Sequence, residues 1–538
     1  MFDDFRRVAA TLKAACCVVT LSTGLALAIP GSVQAQTTAF RQAVAETAAR
    51  DEALAAFYRG RTFEGVWTGD AGLERRNALL SALSDATYHG LPAARYDVDA
   101  LMAKMMSART PAELGALEVD LTKLYLRYAR EVASGVVAPR SVDSGIVREV
   151  SYAATEDLLA GLMGANPTAF LRSLPPATPE YNRLVAAKMR LAAIQASGGW
   201  GPRVNASKIE VGATGPEVIA LRNRLTAMGH MERSLSPEYD EALAEGVRDF
   251  QRSHGLSVDG DAGPATMTEI NISITERIQS ILVAMERERW FNQDRGDRHI
   301  WVNLTDFSAK IIDHGETTFQ TRSVIGAVDA DRVTPEFSDV MEYMVINPSW
   351  YVPRSIVTKE YLPQLQRNPA AAGHMVITDS RGRVVNRNAV DFTRFTARTF
   401  PYAMRQPPSP RNALGLVKFM FPNKYNIYLH DTPAKSLFGR EVRAFSHGCV
   451  RLNDPFDFAY ALLAVQTDDP VGLFQSRLRS GKESSVRLDE PVPVHLIYRT
   501  AFTNETGQVE FRRDVYGRDR RIWAALSREG VVVPGLQG

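Results

Sequence analysis

Ile427-Tyr428-Leu429-His430-Asp431-Thr432-Pro433 and, further on, Phe445-Ser446-His447-Gly448-Cys449-Val450-Arg451-Leu452 are the two phrases on which the reading of this 538-residue chain turns. In the first, Ile427 and Leu429 alternate with Tyr428 and His430, the period of a strand buried on one side. Its apolar face meets a core while Tyr428 and His430 look into a polar site. In the second, Gly448 suggests a bend between His447 and Cys449. A thiol with an ordinary pKa of about 8.5 is only a few per cent thiolate at neutral pH, and an imidazole within about 3 Å that accepts its proton is the standard remedy. The strand geometry favours His430 as that base and Cys449 as nucleophile, with His447 shaping the pocket or polarising substrate. A thioester route passes through an oxyanion, for which the N–H groups of Gly448 and Cys449 are the nearest donors. Asp431 is a candidate third member that orients His430, a backbone carbonyl being the alternative because adjacent strand residues point apart. The planar fork of Arg451 suits a substrate carboxylate, against a local salt bridge.

The chain's beginning sharpens the cysteine argument. Arg6, Arg7 and Lys13 precede an apolar run through Ala26 and Leu27, and Val33-Gln34-Ala35 supplies small residues for cleavage, so residues 1–35 read as a secretory signal. Cys16 and Cys17 fall inside it, leaving Cys449 as the lone cysteine of a mature exported chain. In an oxidising compartment a free thiol in a polar motif is better explained by chemistry than by packing. The 63 basic residues nearly balance the 61 acidic ones. That balance offers no electrostatic footprint for nucleic acid.

Outward from the site, residues 36–204 read as a helical scaffold, closing at Ser197-Gly198-Gly199-Trp200. Over 205–285, Val218, Leu221, Leu225 and Met228, then Leu243, Val247 and Phe250, then Met267, Ile270, Ile274, Ile278, Ile281 and Met285 recur at helical spacing. Gly215-x-x-Val218-x-x-Leu221, Phe250-Gln251, Gly255-Leu256 and Asp259-Gly260-x-x-Gly263-x-x-Thr266 resemble the three-helix peptidoglycan-binding module of wall enzymes. After Trp290 the period changes to that of strands, at Ile300 to Leu304, Arg322 to Ile325, Val340 to Ile346 and Val494 to Tyr498, so 286–538 should be a mostly β domain. Residues 357–404 interrupt it with a helical piece and a hairpin turning at Ser380-Arg381-Gly382, a candidate lid. The fold expected is multidomain α+β.

The phrases around His430 and Cys449, with Asn347-Pro348-x-Trp350-x-Val352-Pro353, Gln406-Pro407-Pro408 and Asn412-Ala413-Leu414-Gly415-x-x-Lys418-Phe419, resemble the L,D-transpeptidases of the YkuD fold, and with the module and insertion are similar to their YcbB-like branch. The resemblance implies that Cys449 attacks the third residue of a peptidoglycan tetrapeptide stem, expels D-alanine, and passes the acyl group to the side-chain amine of a diamino acid on another stem. It implies a 3–3 cross-link, carbapenem sensitivity, a periplasmic enzyme without cofactor, other wall-synthesis enzymes as candidate partners, and Tyr428, Asp431, Ser446, His447, Gly448 and Arg451 around the reacting groups. Alternatives are an L,D-carboxypeptidase, an exchange or anchoring transferase sharing the acyl-enzyme, a zinc site built on Cys449, His430, His447 and Asp431, and a non-catalytic wall-binding scaffold.

Overall fold

A computed structural model describes residues 30–329, 331–504 and 506–533, with side chains from Thr38 onward. The expected signal over residues 1–35 lies outside the described side chains. The chain divides into two compact units, residues 1–73 with 103–123, and residues 74–102 with 124–538.

In the first unit Asp51 caps the helix Glu52–Gly60, its carboxylate accepting from the Leu54 N–H. Glu118, fully buried on the first half of the helix Pro111–Ser134, accepts from the N–H groups of Val66 at 2.6 Å and Thr68 at 2.9 Å and from the Tyr58 hydroxyl at 3.0 Å. A buried carboxylate is tolerated only when so surrounded by donors.

In the second unit the expected stripe from Met267 to Met285 is broken. Ser273 and Glu276 form a capping box that starts a new helix, Ile274–Trp290, after the helix Pro264–Ile270 ends. Met267 and Ile270 stay in the module's core with Val218, Leu221, Leu243 and Phe250, whereas Ile278 and Leu282 pack with Ile522 and Leu526. The module is therefore built on the helices Pro216–Met228, Glu241–Ser253 and Pro264–Ile270, and residues 274–285 belong to the next body. Gln251 explains its place in the motif: buried, it donates to the Asp259 carboxylate at 2.7 Å and accepts from the Gly260 N–H at 2.9 Å, pinning the loop that follows. The helix Ile274–Trp290 carries charge into the interior, and each charge is paired. Arg287 meets Glu336 at 2.6 Å and Asp519 at 2.7 Å, and Glu288 meets Arg499 and Arg295.

The β domain contains β1 (Arg298–Asn303), β2 (Ser308–Asp313), β3 (Glu316–Gly326), β4 (Phe337–Ile346), β5 (Trp350–Tyr351), β6 (Val376–Thr378), β7 (Ala403–Gln406), β8 (Val417–Met420), β9 (Leu429–His430), β10 (Ala444–Ser446), β11 (Val450–Leu452) and β12 (Ser484–Ile497). The main sheet runs β10-β3-β11-β9-β8-β4-β12-β1-β2, and β2 pairs back onto β3, closing the sheet on itself. Ile300, Val302, Phe419, Leu429, Val450 and Leu496 fill one side with Phe458 and Leu462 of the helix Pro455–Leu463. Closure leaves the opposite face to carry chemistry.

The insertion is a small body of its own, rooted at β5 and β7. A sheet in the order β5-β7-β6 and a helical stretch through Val357–Tyr361 and Leu362–Arg367 enclose Val357, Leu362, Leu365, Ile377, Phe392, Phe400 and Met404. The chain reverses at Gly382, with φ +76°, where the Asp379 N–H donates to the Arg383 carbonyl.

Candidate active site

Strand register assembles the site. Parallel pairing sets Leu429 beside Val450 and His430 beside Arg451, and antiparallel pairing sets Lys418 beside His430 and Phe419 beside Leu429. Since Leu429, Val450 and Phe419 face the core, His430, Arg451 and Lys418 emerge on the other face, joined one step along by Tyr428 and Cys449.

The turn that presents Cys449 is held from several sides. Gly448 has φ +110°, and a Cβ there would lie 3.1 Å from Ile427 Cδ1, so glycine suits the position on both counts. The buried Ser446 hydroxyl accepts from the Gly448 N–H at 3.1 Å and donates to the Cys449 carbonyl at 2.5 Å. Thr334 donates to the Gly448 carbonyl at 2.8 Å, and the Ala327 N–H to the Ser446 carbonyl at 2.9 Å. Ser446 thus shapes the turn, and of the two expected oxyanion donors the Gly448 N–H is engaged by it. The Cys449 N–H meets no acceptor among the described residues, which leaves it for an oxyanion.

Half-buried Cys449 directs its sulfur at the Asn426 carbonyl, 3.5 Å away. Burial pushes the thiol up to about 11, against the pull of the Tyr428 backbone and hydroxyl and of the nearby Arg451 and Lys418 charges. The Tyr428 hydroxyl is itself held far above its ordinary range by burial and by the sulfur, with Trp350 pulling the other way.

Buried His430 donates Nδ1–H to the Asp431 backbone carbonyl at 2.5 Å, and the Leu414 backbone also acts on the ring; with the proton on Nδ1, Nε2 is the nitrogen that carries the lone pair. Burial first, then the Arg451 charge, pushes the imidazole down to about 3. It is neutral and able to accept a proton. Its ring lies 5.6 Å from that of Tyr428, and no thiol–imidazole hydrogen bond forms among the described residues. Register is the reason: Cys449 falls beside Tyr428, one residue before His430.

The Asp431 carboxylate turns away from the ring. It accepts from the Leu416 N–H at 2.9 Å and pairs with Lys435 at 2.9 Å, so the backbone carbonyl orients His430. A Cβ on Gly415, φ +60°, would sit 2.2 Å from that carboxylate. His447 also points elsewhere: its Nε2 meets Glu360 Oε1 of the insertion at 2.5 Å. With these side chains directed apart, Cys449, His430, His447 and Asp431 do not converge as zinc ligands would.

Arg451 is half-buried, and neither its guanidinium nor the Lys418 ammonium has an ion-pair partner among the described residues; the Arg451 Nε is buried without a hydrogen bond. Burial holds both below their usual ranges; the Glu483 carboxylate and then the thiol oppose it at Lys418, and the thiol opposes it at Arg451. Two cations without ion-pair partners beside a thiol are suited to holding an anion. Lys418, Trp350 and Glu360 were not singled out as site residues by sequence reasoning, although the first two stand in phrases that carried the resemblance.

The matches to known families follow the order of these bodies along the chain. Residues 297–472 match the "L,D-transpeptidase catalytic domain" family (YkuD), residues 214–270 the "Putative peptidoglycan binding domain" family, and residues 52–187 a "Scaffold domain" family. A curated Haemophilus influenzae protein named "Putative L,D-transpeptidase" is 32% identical over 229 residues, 41% of this chain and 45% of that protein, so the chain spans less than half the length of this relative. The crystal structure of an L,D-transpeptidase from Xylanimonas cellulosilytica is 15% identical, covering 55% of this chain and 98% of that one at a TM-score of 0.17. One from Stackebrandtia nassauensis is 14% identical, covering 55% and 97% at 0.23.

Proposed function

From the premise that this chain carries a YkuD L,D-transpeptidase catalytic domain and a peptidoglycan-binding domain, we propose that it forms 3–3 cross-links in peptidoglycan through a thioester on Cys449. The supporting observation is the single sheet face on which Cys449, Tyr428 and His430 stand between the unpaired cations Arg451 and Lys418. The donor is a tetrapeptide stem whose carboxylates these cations hold. Nε2 of the neutral His430 takes the thiol proton as sulfur attacks the carbonyl of the third residue, and the Cys449 N–H and Tyr428 hydroxyl face the developing charge. The C–N bond breaks, D-alanine departs with a proton from the imidazole, and the acyl-enzyme remains. The side-chain amine of a diamino acid on a second stem then forms the new amide and returns the thiol.

Because thiol and imidazole are both uncharged at rest, the proton moves on attack rather than beforehand. Carbapenems should acylate the same sulfur. An exported, periplasmic location accords with the basic, apolar start of the sequence and with the substrate.

The test is product analysis of disaccharide-tetrapeptide incubated with wild type and Cys449→Ala. The proposal expects cross-linked dimer and free D-alanine from wild type alone. Tripeptide without dimer would instead favour an L,D-carboxypeptidase, and identical products from both proteins would refute catalysis by Cys449.

A further inference from the structure

His447 sits in the catalytic turn yet plays no part in that scheme, and its side chain is fixed by a residue of the inserted body. Glu360 Oε1 lies 2.5 Å from His447 Nε2 and 3.0 Å from Arg332 Nη2, with both His447 and Glu360 about one-third exposed (35% and 33%). Beside this pair Lys359 meets Asp331. The next residue of the same stretch turns toward the thiol's neighbours: Tyr361 packs on Trp350 at 6.4 Å, and Trp350 and the Cys449 sulfur both act on the Tyr428 hydroxyl. Glu360 thus touches the catalytic turn at His447, while Tyr361 touches Trp350.

A carboxylate on Nε2 fixes the Nε2–H tautomer and leaves Nδ1 as a proton acceptor, the arrangement that makes an imidazole a general base. His430, buried and held by a carbonyl, serves the donor half-reaction. The acceptor presents a different difficulty, since an alkyl amine with a pKa of about 10.4 is an ammonium at neutral pH and has no lone pair to attack with. Resting on the transpeptidase reading above, we infer that Glu360 and His447 form an acceptor subsite for a primary ammonium group, with His447 as the base that frees its lone pair.

The step balances. The ammonium gives one proton to His447 Nδ1, and its lone pair forms the C–N bond at the thioester carbonyl. The C–S bond breaks, sulfur leaves with the electron pair, and the nitrogen's second proton returns to sulfur by way of His430. Glu360 Oε1 is shared by His447 and Arg332, while Oε2 has no hydrogen-bond partner among the described residues, which leaves it to meet the incoming charge. Glu360 is the positioning residue and His447 the catalytic one.

The experiment compares wild type with Glu360→Gln and His447→Gln. Each is supplied with tetrapeptide donor and, in separate reactions, an acceptor with a lysine-type amine or hydroxylamine, which is uncharged at neutral pH. Products are counted per acyl-enzyme formed on Cys449, so that loss of folding is not read as loss of transfer. Both variants are expected to lower transfer to the lysine-type amine by about 100-fold, the usual scale of a general base, while trapping by hydroxylamine falls far less. An equal fall with both nucleophiles, or no fall, would overturn the subsite and leave Glu360 as a tether for the insertion. Failure of wild-type Cys449 to acylate at all would strike the transpeptidase reading itself, and the subsite with it.

Discussion

Replacing Tyr428 by phenylalanine removes one atom from the centre of the site. That oxygen acts on the sulfur of Cys449, helping to hold the thiol below where burial alone would put it, and is placed to donate to the sulfur as it becomes anionic. A hydrogen bond to a group that becomes anionic is worth about 1.5–3 kcal/mol, or about tenfold to 150-fold in rate. Packing should change little because the ring remains. The assay is the rate of mass gain on Cys449 with a carbapenem or tetrapeptide, alongside thermal melting. The expected result is acylation slowed by about 10- to 150-fold with the melting transition nearly unmoved. A wild-type acylation rate in a folded Tyr428→Phe protein would refute the role given to the phenol.

Arg451→Ala removes a guanidinium that has no ion-pair or hydrogen-bond partner among the described residues, so stability should hold or rise, while kcat/KM for tetrapeptide falls by about tenfold to 150-fold through loss of a carboxylate contact; a lower melting temperature with unchanged kcat/KM would reverse that reading. With the thiol near 11 and His430 near 3, alkylation of the resting enzyme by iodoacetamide should climb about tenfold per pH unit from 7 to 10, and a plateau below neutrality would indicate a preformed thiolate–imidazolium pair. Burial pushes His430 and His495 down to about 3 in the folded chain. Acid therefore protonates the unfolded chain first, and their contribution to stability, whole above about 6.5, is lost as pH falls towards 3. Urea midpoints measured across that window should decline, and flat midpoints would contradict the neutral buried histidines.

The alternation around His430 and the glycine before Cys449 are local, and both could be read directly. Side chains on a strand alternate, so Tyr428 and His430 had to share a face, and Asp431 had to leave orientation of the ring to its carbonyl. What escaped the sequence depends on pairing between distant segments. Lys418 enters the site only through the β8–β9 register, and Glu360 reaches His447 across 87 residues of chain. Ser446 looked like a substrate contact, but its short hydroxyl closes on the turn's own backbone. The apolar stripe from Met267 to Met285 misled because its spacing continues through Ser273, where the capping box restarts the helix and redirects its face into another core. The site's phrases are short and obey strand and turn rules. The surrounding bodies are joined by buried pairs such as Arg287 with Asp519, separated by 232 residues, which no local pattern announces.

The most direct test of the central claim is the intact mass of wild type and Cys449→Ala, rapidly quenched after mixing with tetrapeptide donor, with the modified residue located by peptide mapping. The account predicts a gain equal to the donor minus D-alanine, confined to Cys449 and absent from the variant. The same adduct on Cys449→Ala, or turnover by wild type through a different residue, would contradict it.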